Sequence, residues 1–142
     1  MRSASALAAT AAPSLEPVPA ADVQRALLRA LLAFDDPAFP RIDVAHVEAR
    51  LAAIADPLAD ARYRAGLLAF DRAGPFPGGA SSFASLALAD ARGVVQRWFD
   101  SDAVEQRRFV RDVKQLAMIA VYSDPAVWPA IGYAGPFEPR LR

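Results

Sequence analysis

The stretch that decides the fold runs from Ala103 to Tyr122 and reads AVEQRRFVRDVKQLAMIAVY. Apolar side chains recur in it at spacings of four, three and four residues, at Phe109, Val113, Leu116 and Ala120. This spacing predicts one long amphipathic helix, because residues three and four apart share a helical face. The last turns add further apolar residues until the helix is apolar nearly all round. We therefore expect this end of the helix to be central and buried.

Two shorter helical patterns open the chain. The first begins near Ala20 or Ala21 and is ended by Asp35-Asp36-Pro37, since proline disfavours the helical conformation of the residue before it. The second is predicted to be capped by Asp43 and to end at Asp56-Pro57. The predicted inner faces are Val23, Leu27, Ala30, Leu31 and Phe34 on the first helix, and Val44, Val47, Leu51 and Ile54 on the second.

A third and a fourth helix are predicted between these and the long one. Asp56 can cap the third helix, Pro57 fits its first turn, and Gly74 supplies a stop. The fourth runs from about Ala87 to Phe99. The predicted inner stripe of the third helix is Leu58, Ala61, Ala65 and Leu68, with Tyr63, Leu67 and Phe70 beside it, and that of the fourth is Leu88, Ala91, Val95 and Trp98.

The sequence thus predicts an all-α fold, a small bundle of about five helices with an irregular Gly/Pro-rich C-terminal segment. No segment alternates as a strand would, and no repeat is visible. We expect residues 1–20 to form a disordered Ala/Pro-rich tail and residues 21–142 to form a single helical domain. The loop from Gly74 to Ser82 is rich in glycine and proline, and its composition fits an ordered or partner-facing segment as readily as a flexible one.

Composition excludes several classes of function. Sixteen basic residues balance sixteen acidic ones, which gives no electrostatic case for binding nucleic acid or an anionic membrane. Cysteine is absent, which removes thiolate catalysis and cysteine-based zinc sites. The longest apolar run, Leu116 to Tyr122, is seven residues, so no transmembrane segment is expected. The N-terminus lacks a Leu-rich apolar region, so no secretory signal is expected.

No catalytic, metal-binding or cofactor-binding constellation stands out. His46 is the one histidine, and no nucleophile or second carboxylate lies at a spacing that would complete a relay. The paired acids at Asp35-Asp36 and Asp100-Ser101-Asp102 lie at helix junctions, where carboxylates cap free N–H groups. Gly78-Gly79 matches neither phosphate-binding glycine pattern. We therefore expect no catalytic residue, no metal and no cofactor site in this chain.

The richest segment follows the long helix, where residues 123–136 read SDPAVWPAIGYAGP. One interpretation is that Trp128 packs over the fifth helix, with Asp124-Pro125 starting a helical turn and Gly132 letting the chain double back. The other is that its aromatic residues form a protein interface, since tryptophan and tyrosine are enriched at interface hot spots. With the aromatic residue of the proline-rich loop, the candidate interface residues are Phe76, Trp128, Ile131, Tyr133, Pro136 and Phe137.

This C-terminal pattern resembles the gluconate 2-dehydrogenase subunit 3 family. Tyr122-Ser123-Asp124-Pro125, then Trp128, then the run from Ile131 to Pro136, is similar to the family's closing Tyr-x-Asp-Pro…Trp…Ile-Gly-Tyr-x-Gly-Pro. The order of helices upstream is also similar, with Phe83-x-x-Leu86 before a helix that carries Arg92. The resemblance covers roughly residues 22–138.

The resemblance implies a noncatalytic small subunit that binds and stabilises a large FAD-dependent oxidoreductase of the glucose-methanol-choline (GMC) class, acting on alcohol or sugar CH–OH groups. The FAD then belongs to the partner. Related small subunits often carry a twin-arginine export signal, which this sequence lacks. We therefore expect a cytoplasmic location, or a periplasmic one if a partner's signal carries the chain. Two alternatives remain: a stand-alone helical enzyme or small-molecule binder with a pocket near Tyr122 and Trp128, at the end of the fifth helix, and a homo-oligomeric structural module.

Overall fold

The computed structural model describes residues 18–134, which fold into five α-helices without a strand. The helices are α1 (Ala20–Leu31), α2 (Val44–Ile54), α3 (Ala61–Asp71), α4 (Leu88–Phe99) and α5 (Val104–Tyr122). Short 3₁₀ helices lie between or after them, at Pro57–Ala59, Pro77–Gly79, Phe83–Ser85 and Trp128–Ile131. The all-α prediction is confirmed. Most of the predicted N-terminal tail, residues 1–17, lies outside the described range.

Helix α1 is the central element, and it contacts each of the other four helices. Its buried side chains include Val23, Leu27 and Leu28. The predicted extension to Asp35 is wrong, because the helix ends at Leu31. Phe34 therefore lies beyond the helix with an exposed ring, which meets the ring of Phe39 at 4.7 Å instead of entering the core.

Helix α2 begins where the sequence predicted it. Asp43 is the N-cap, and its Oδ1 accepts a hydrogen bond from the backbone N–H of Ala45 at 3.0 Å. Val47 and Leu51 are buried as expected. Ile54 was expected on the same inner stripe, but it is the last residue of the helix and about half of its side chain is uncovered.

The start of α3 corrects the sequence prediction. Asp56 does not cap this helix; it adopts a left-handed φ of 36° and precedes the separate 3₁₀ helix Pro57–Ala59. Asp60 is the cap of α3, since its Oδ1 accepts hydrogen bonds from the N–H groups of Arg62 at 2.7 Å and Tyr63 at 3.2 Å. The chain therefore turns once more between α2 and α3 than expected.

The face that α3 turns inward also differs from the prediction. Leu67 and Phe70 are fully buried, whereas Ala61 and Ala65 of the predicted stripe are exposed. The physical reason is side-chain size, because burying a leucine and a phenylalanine removes much more apolar surface from water than burying alanines. In α4, Leu88 is likewise exposed, while Ala91 and Val95 are buried as predicted.

Two clusters of buried side chains form the core. The larger one joins α1, α3, α4, the first half of α5 and the 3₁₀ helix Phe83–Ser85. The smaller one joins the end of α1 to α2 and to the last turns of α5. Val127 completes this second cluster from beyond α5. The C-terminal segment is therefore anchored to the bundle.

Tyr63 makes the stability of the fold depend on pH in the alkaline range. Its hydroxyl donates to Oε1 of the buried Gln24 at 3.0 Å, and burial raises the pKa of the Tyr63 phenol to about 12. Because the folded pKa lies above the unfolded value of about 10, the folded state keeps a proton that the unfolded state releases. We expect the free energy of unfolding to fall between pH 10 and pH 12, by up to about 1.4 kcal/mol per pH unit.

Urea titrations at several pH values from 9 to 12 measure this loss. In the Tyr63→Phe variant the decline over that range should be shallower, because the variant has no phenol to ionise at this position. An equal decline in both proteins would show that other groups cause it.

Candidate partner interface at the end of the fifth helix

The segment after α5 forms a compact turn against the helix. Asp124 Oδ1 accepts a hydrogen bond from the N–H of Ala126 at 3.0 Å, and the Asp124 carbonyl accepts one from Val127 at 3.0 Å. The 3₁₀ helix Trp128–Ile131 follows. Gly132 then adopts a φ of 70°, a conformation that favours glycine, and the N–H of Tyr133 donates to the Trp128 carbonyl at 2.9 Å.

Trp128 lies over the end of α5. Its indole Nε1 donates a hydrogen bond to the backbone carbonyl of Tyr122, one of the free carbonyls at the helix end, at 2.7 Å. The ring of Tyr133 packs edge-on against the indole, with centroids 5.1 Å apart and an interplanar angle of 86°. The interpretation that Trp128 packs over the fifth helix is confirmed, and this packing brings Tyr133 onto the same side.

Helix α2 holds this turn from a distant part of the chain. The guanidinium of Arg50 donates to Ser123 through Nε to Oγ at 3.0 Å and through Nη2 to the carbonyl at 2.6 Å. One turn earlier on α2, His46 Nε2 lies 3.0 Å from Asp124 Oδ2. The pKa of Asp124 is lowered, chiefly because the N–H of Ala126 donates to its carboxylate and also because His46 and Arg50 lie nearby.

These contacts were not predicted from the sequence. The one available signal was the spacing of four between His46 and Arg50, which places both on one face of α2. The same contacts show that the polar side chains at this turn hold its structure together. Ser123 Oγ accepts from Arg50 and donates to the carbonyl of Ala120 at 2.8 Å, so its geometry is that of a helix-end bond and not of a nucleophile.

Large apolar side chains are exposed around this turn. We define the aromatic patch as Ile119, Tyr122, Trp128, Ile131 and Tyr133. Four of these side chains have exposed fractions between 41% and 47%, and Trp128 is half-buried among them. We expected the end of α5 to be buried. This expectation is wrong for the face that carries Ile119 and Tyr122, which lie three positions apart.

The structure brings together three of the predicted interface residues, Trp128, Ile131 and Tyr133. Pro136 and Phe137 lie outside the described residues. Phe76 requires a correction, because its ring is only 7% exposed and packs against Phe83 with centroids 6.5 Å apart. Most of the loop is exposed, but the Phe76 ring itself anchors it to the core and so is not placed to meet a partner.

The alternative of a small-molecule pocket near the end of α5 finds limited support. The cavity there has a volume of about 150 Å³ and lies between the His46–Asp124 pair and the apolar side chains of Val47 and Val127. Small-molecule sites usually occupy roughly 300–1,000 Å³. Within residues 18–134, no three His, Asp or Glu side chains are grouped so that they could hold a metal ion.

Comparison with protein-family models, with curated proteins and with solved structures gives no match for this chain. In the range that the structure describes, no helix combines the length and the apolar character needed to cross a membrane.

Proposed function

We propose that this chain is a noncatalytic accessory subunit that docks through its aromatic patch on a large FAD-dependent oxidoreductase of the GMC class. The observation that carries the proposal is the exposure of Ile119 and Tyr122 at the end of α5 and of Ile131 and Tyr133 in the turn that follows it. Exposed apolar clusters on a small protein typically mark contact sites for other proteins. The motif that resembles the accessory-subunit family lies in the same segment.

The contacts that hold this segment in place favour docking with little ordering cost. Arg50, Trp128 and Val127 tie it to α2, to the end of α5 and to the core. A surface that is already held in place loses less conformational entropy when a partner binds, which leaves more of the contact energy for affinity. The aromatic side chains then supply the large, stiff contact area that is common at hot spots.

The flavin is assigned to the partner in this proposal. A dinucleotide such as FAD is usually bound where a glycine-rich turn joins a strand to a helix, and the part of the chain that the structure describes contains no strand. This chain would thus stabilise or position its partner without taking part in the redox chemistry. A cytoplasmic location is proposed with it, or a periplasmic one if the partner carries the export signal.

Coexpression with a GMC-type oxidoreductase encoded beside this chain tests the proposal. We expect the two proteins to copurify, and the flavoprotein to lose solubility or dehydrogenase activity without this chain. An Ile119→Ser/Tyr122→Ser double variant removes two exposed patch residues without touching the buried core. Its affinity for the partner should fall by roughly 10- to 100-fold, as expected when hot-spot residues of an interface are removed.

Val104→Ser is the matched control. Val104 is also an exposed apolar residue of α5, but it lies at the other end of the helix, about 27 Å from Tyr122 at 1.5 Å per residue. The control should copurify as the unmodified chain does. Equal behaviour of the two variants, or a chain that is monomeric and indifferent to the oxidoreductase, would contradict the proposal. A symmetric dimer lost in the double variant would instead support the homo-oligomeric alternative.

A further inference from the structure

A second surface, formed by the connector between α1 and α2, has the features of a binding groove. The groove has a volume of about 570 Å³ and lies between this connector, α1 and α4. Phe34 and Leu88 are exposed side chains that line it. Arg92 on α4 forms a two-pronged pair with Asp35 on the connector, with N–O distances of 3.1 and 2.9 Å, so α4 and the connector are joined at this point.

An adjoining groove extends this surface along α1 and the start of α2. It has a volume of about 540 Å³ and shares Arg29, Arg41, Ile42 and Val44 with the first groove. Both grooves are open to solvent and meet along the connector. A ligand that occupies both must therefore be elongated, which fits an extended peptide better than a compact small molecule.

The arginines of the two grooves differ in whether they are already paired with a carboxylate of this chain. Within residues 18–134, Arg29 and Arg41 make no ion pair and no side-chain hydrogen bond, whereas Arg92 is paired with Asp35. The remaining carboxylates already accept from the chain itself. Asp36 accepts from the N–H of Ala38 at 2.8 Å, and Asp43 caps α2. Among the described residues, the guanidinium groups of Arg29 and Arg41 are therefore left without a carboxylate partner.

The terminal segments of this chain do not match these groups in charge. Residues 1–17 contain one carboxylate, Glu16, and one arginine, Arg2. Residues 135–142 contain one carboxylate, Glu138, and two arginines. Neither segment brings an excess of negative charge to Arg29 and Arg41, so charge complementarity favours a separate molecule as the occupant.

We propose that this connector groove binds an extended peptide segment of another protein in which Asp or Glu residues neighbour large apolar residues. The carboxylates pair with Arg29 and Arg41, since the guanidinium fork matches a carboxylate in a two-pronged bond. The apolar side chains cover Phe34 and Leu88. Asp35 and Asp36 at the same groove repel a continuous polyanion such as nucleic acid, while a peptide can place its charges selectively. This proposal is independent of the aromatic patch.

Selection from a phage-displayed library of random twelve-residue peptides against the full chain tests it. We expect enriched peptides that combine Asp or Glu with Leu, Phe or Trp. The synthesised peptides, followed by fluorescence anisotropy, should bind the Arg29→Glu/Arg41→Glu variant at least about tenfold more weakly. Raising the salt concentration from 50 to 500 mM should also weaken binding to the unmodified chain, because the arginines are exposed.

Arg97→Glu/Arg111→Glu is the matched control, since both arginines are exposed, lie on α4 and α5 and line neither groove. It should bind the peptides within about twofold of the unmodified chain, and circular dichroism should show the same helix content for all three proteins. Failure to enrich any peptide, enrichment without acidic residues, or equal loss in both variants would overturn the proposal. So would tighter binding of a labelled single-stranded DNA than of the selected peptides.

Discussion

Replacing Phe70 with alanine is expected to lower the free energy of unfolding by about 3–5 kcal/mol. Phe70 is 1% exposed, and its ring lies at the meeting point of three other aromatic rings from three different elements. The centroid distances are 4.5 Å to Phe83, 4.6 Å to Trp98 and 5.5 Å to Phe109. Removing the ring loses its transfer free energy and leaves a cavity that these neighbours cannot close together.

Urea unfolding followed by circular dichroism and by tryptophan fluorescence measures the loss. The indole of Trp98 is in direct edge-on contact with Phe70, so its emission should also report local loosening in the folded state. Phe34→Ala is the matched control, because Phe34 is an exposed ring whose removal should cost less than about 1 kcal/mol. Equal losses in the two variants would contradict the assignment of Phe70 to the centre of the core.

The positions of the helices were largely predictable because their caps are local signals. Asp43 lies two residues before the N–H that it accepts from, so the sequence alone contains both partners of that bond. Asp56 and Asp60 show the limit of such reasoning. Both residues can cap a helix, and the choice between them depends on the left-handed backbone conformation of Asp56. No neighbouring glycine or asparagine indicates that conformation in the sequence.

The inward face of α3 was less predictable because its many alanines leave little difference in hydrophobicity between the faces of the helix. The stripe through Ala61 and Ala65 and the stripe through Leu67 and Phe70 are both apolar in the sequence. Packing against the other aromatic rings selects the second stripe, which is a property of the whole fold. The same limit applies to Phe34, whose apolar character predicted burial although the helix stops before reaching it.

The candidate interface was predictable in part. The turn at Asp124-Pro125 follows from local chemistry, and it placed Trp128 correctly. The bonds from Arg50 to Ser123 join residues 73 positions apart, so the spacing of His46 and Arg50 on α2 could not show which segment they meet. Phe76 was misplaced for a related reason. A Gly/Pro-rich loop usually lies at the surface, and most of this one does, but its Phe76 ring is buried and its end is held by the buried carboxylate of Asp71.

Replacing Asp71 with alanine is therefore expected to destabilise the protein by about 2–4 kcal/mol. Its side chain is 2% exposed, and Oδ1 accepts hydrogen bonds from Ser82 Oγ at 3.1 Å and from the N–H of Ala84 at 2.8 Å. These bonds close the loop that contains Phe76 and position Phe83 beside Phe70. Alanine would leave both donors without this acceptor in a region that water reaches poorly.

The Asp71→Asn variant separates the hydrogen bonds from the charge. Both bonds end on a single oxygen, which the amide oxygen of asparagine can replace, so we expect a loss of about 1–2 kcal/mol, smaller than for alanine. Hydrogen exchange at the Ala84 amide should accelerate in the order unmodified chain, asparagine, alanine. Asp102→Ala, at an exposed carboxylate between α4 and α5, should change stability by less than about 0.5 kcal/mol. If asparagine and alanine cost the same, the carboxylate would be acting through its charge, and the loop would not be held by these two bonds.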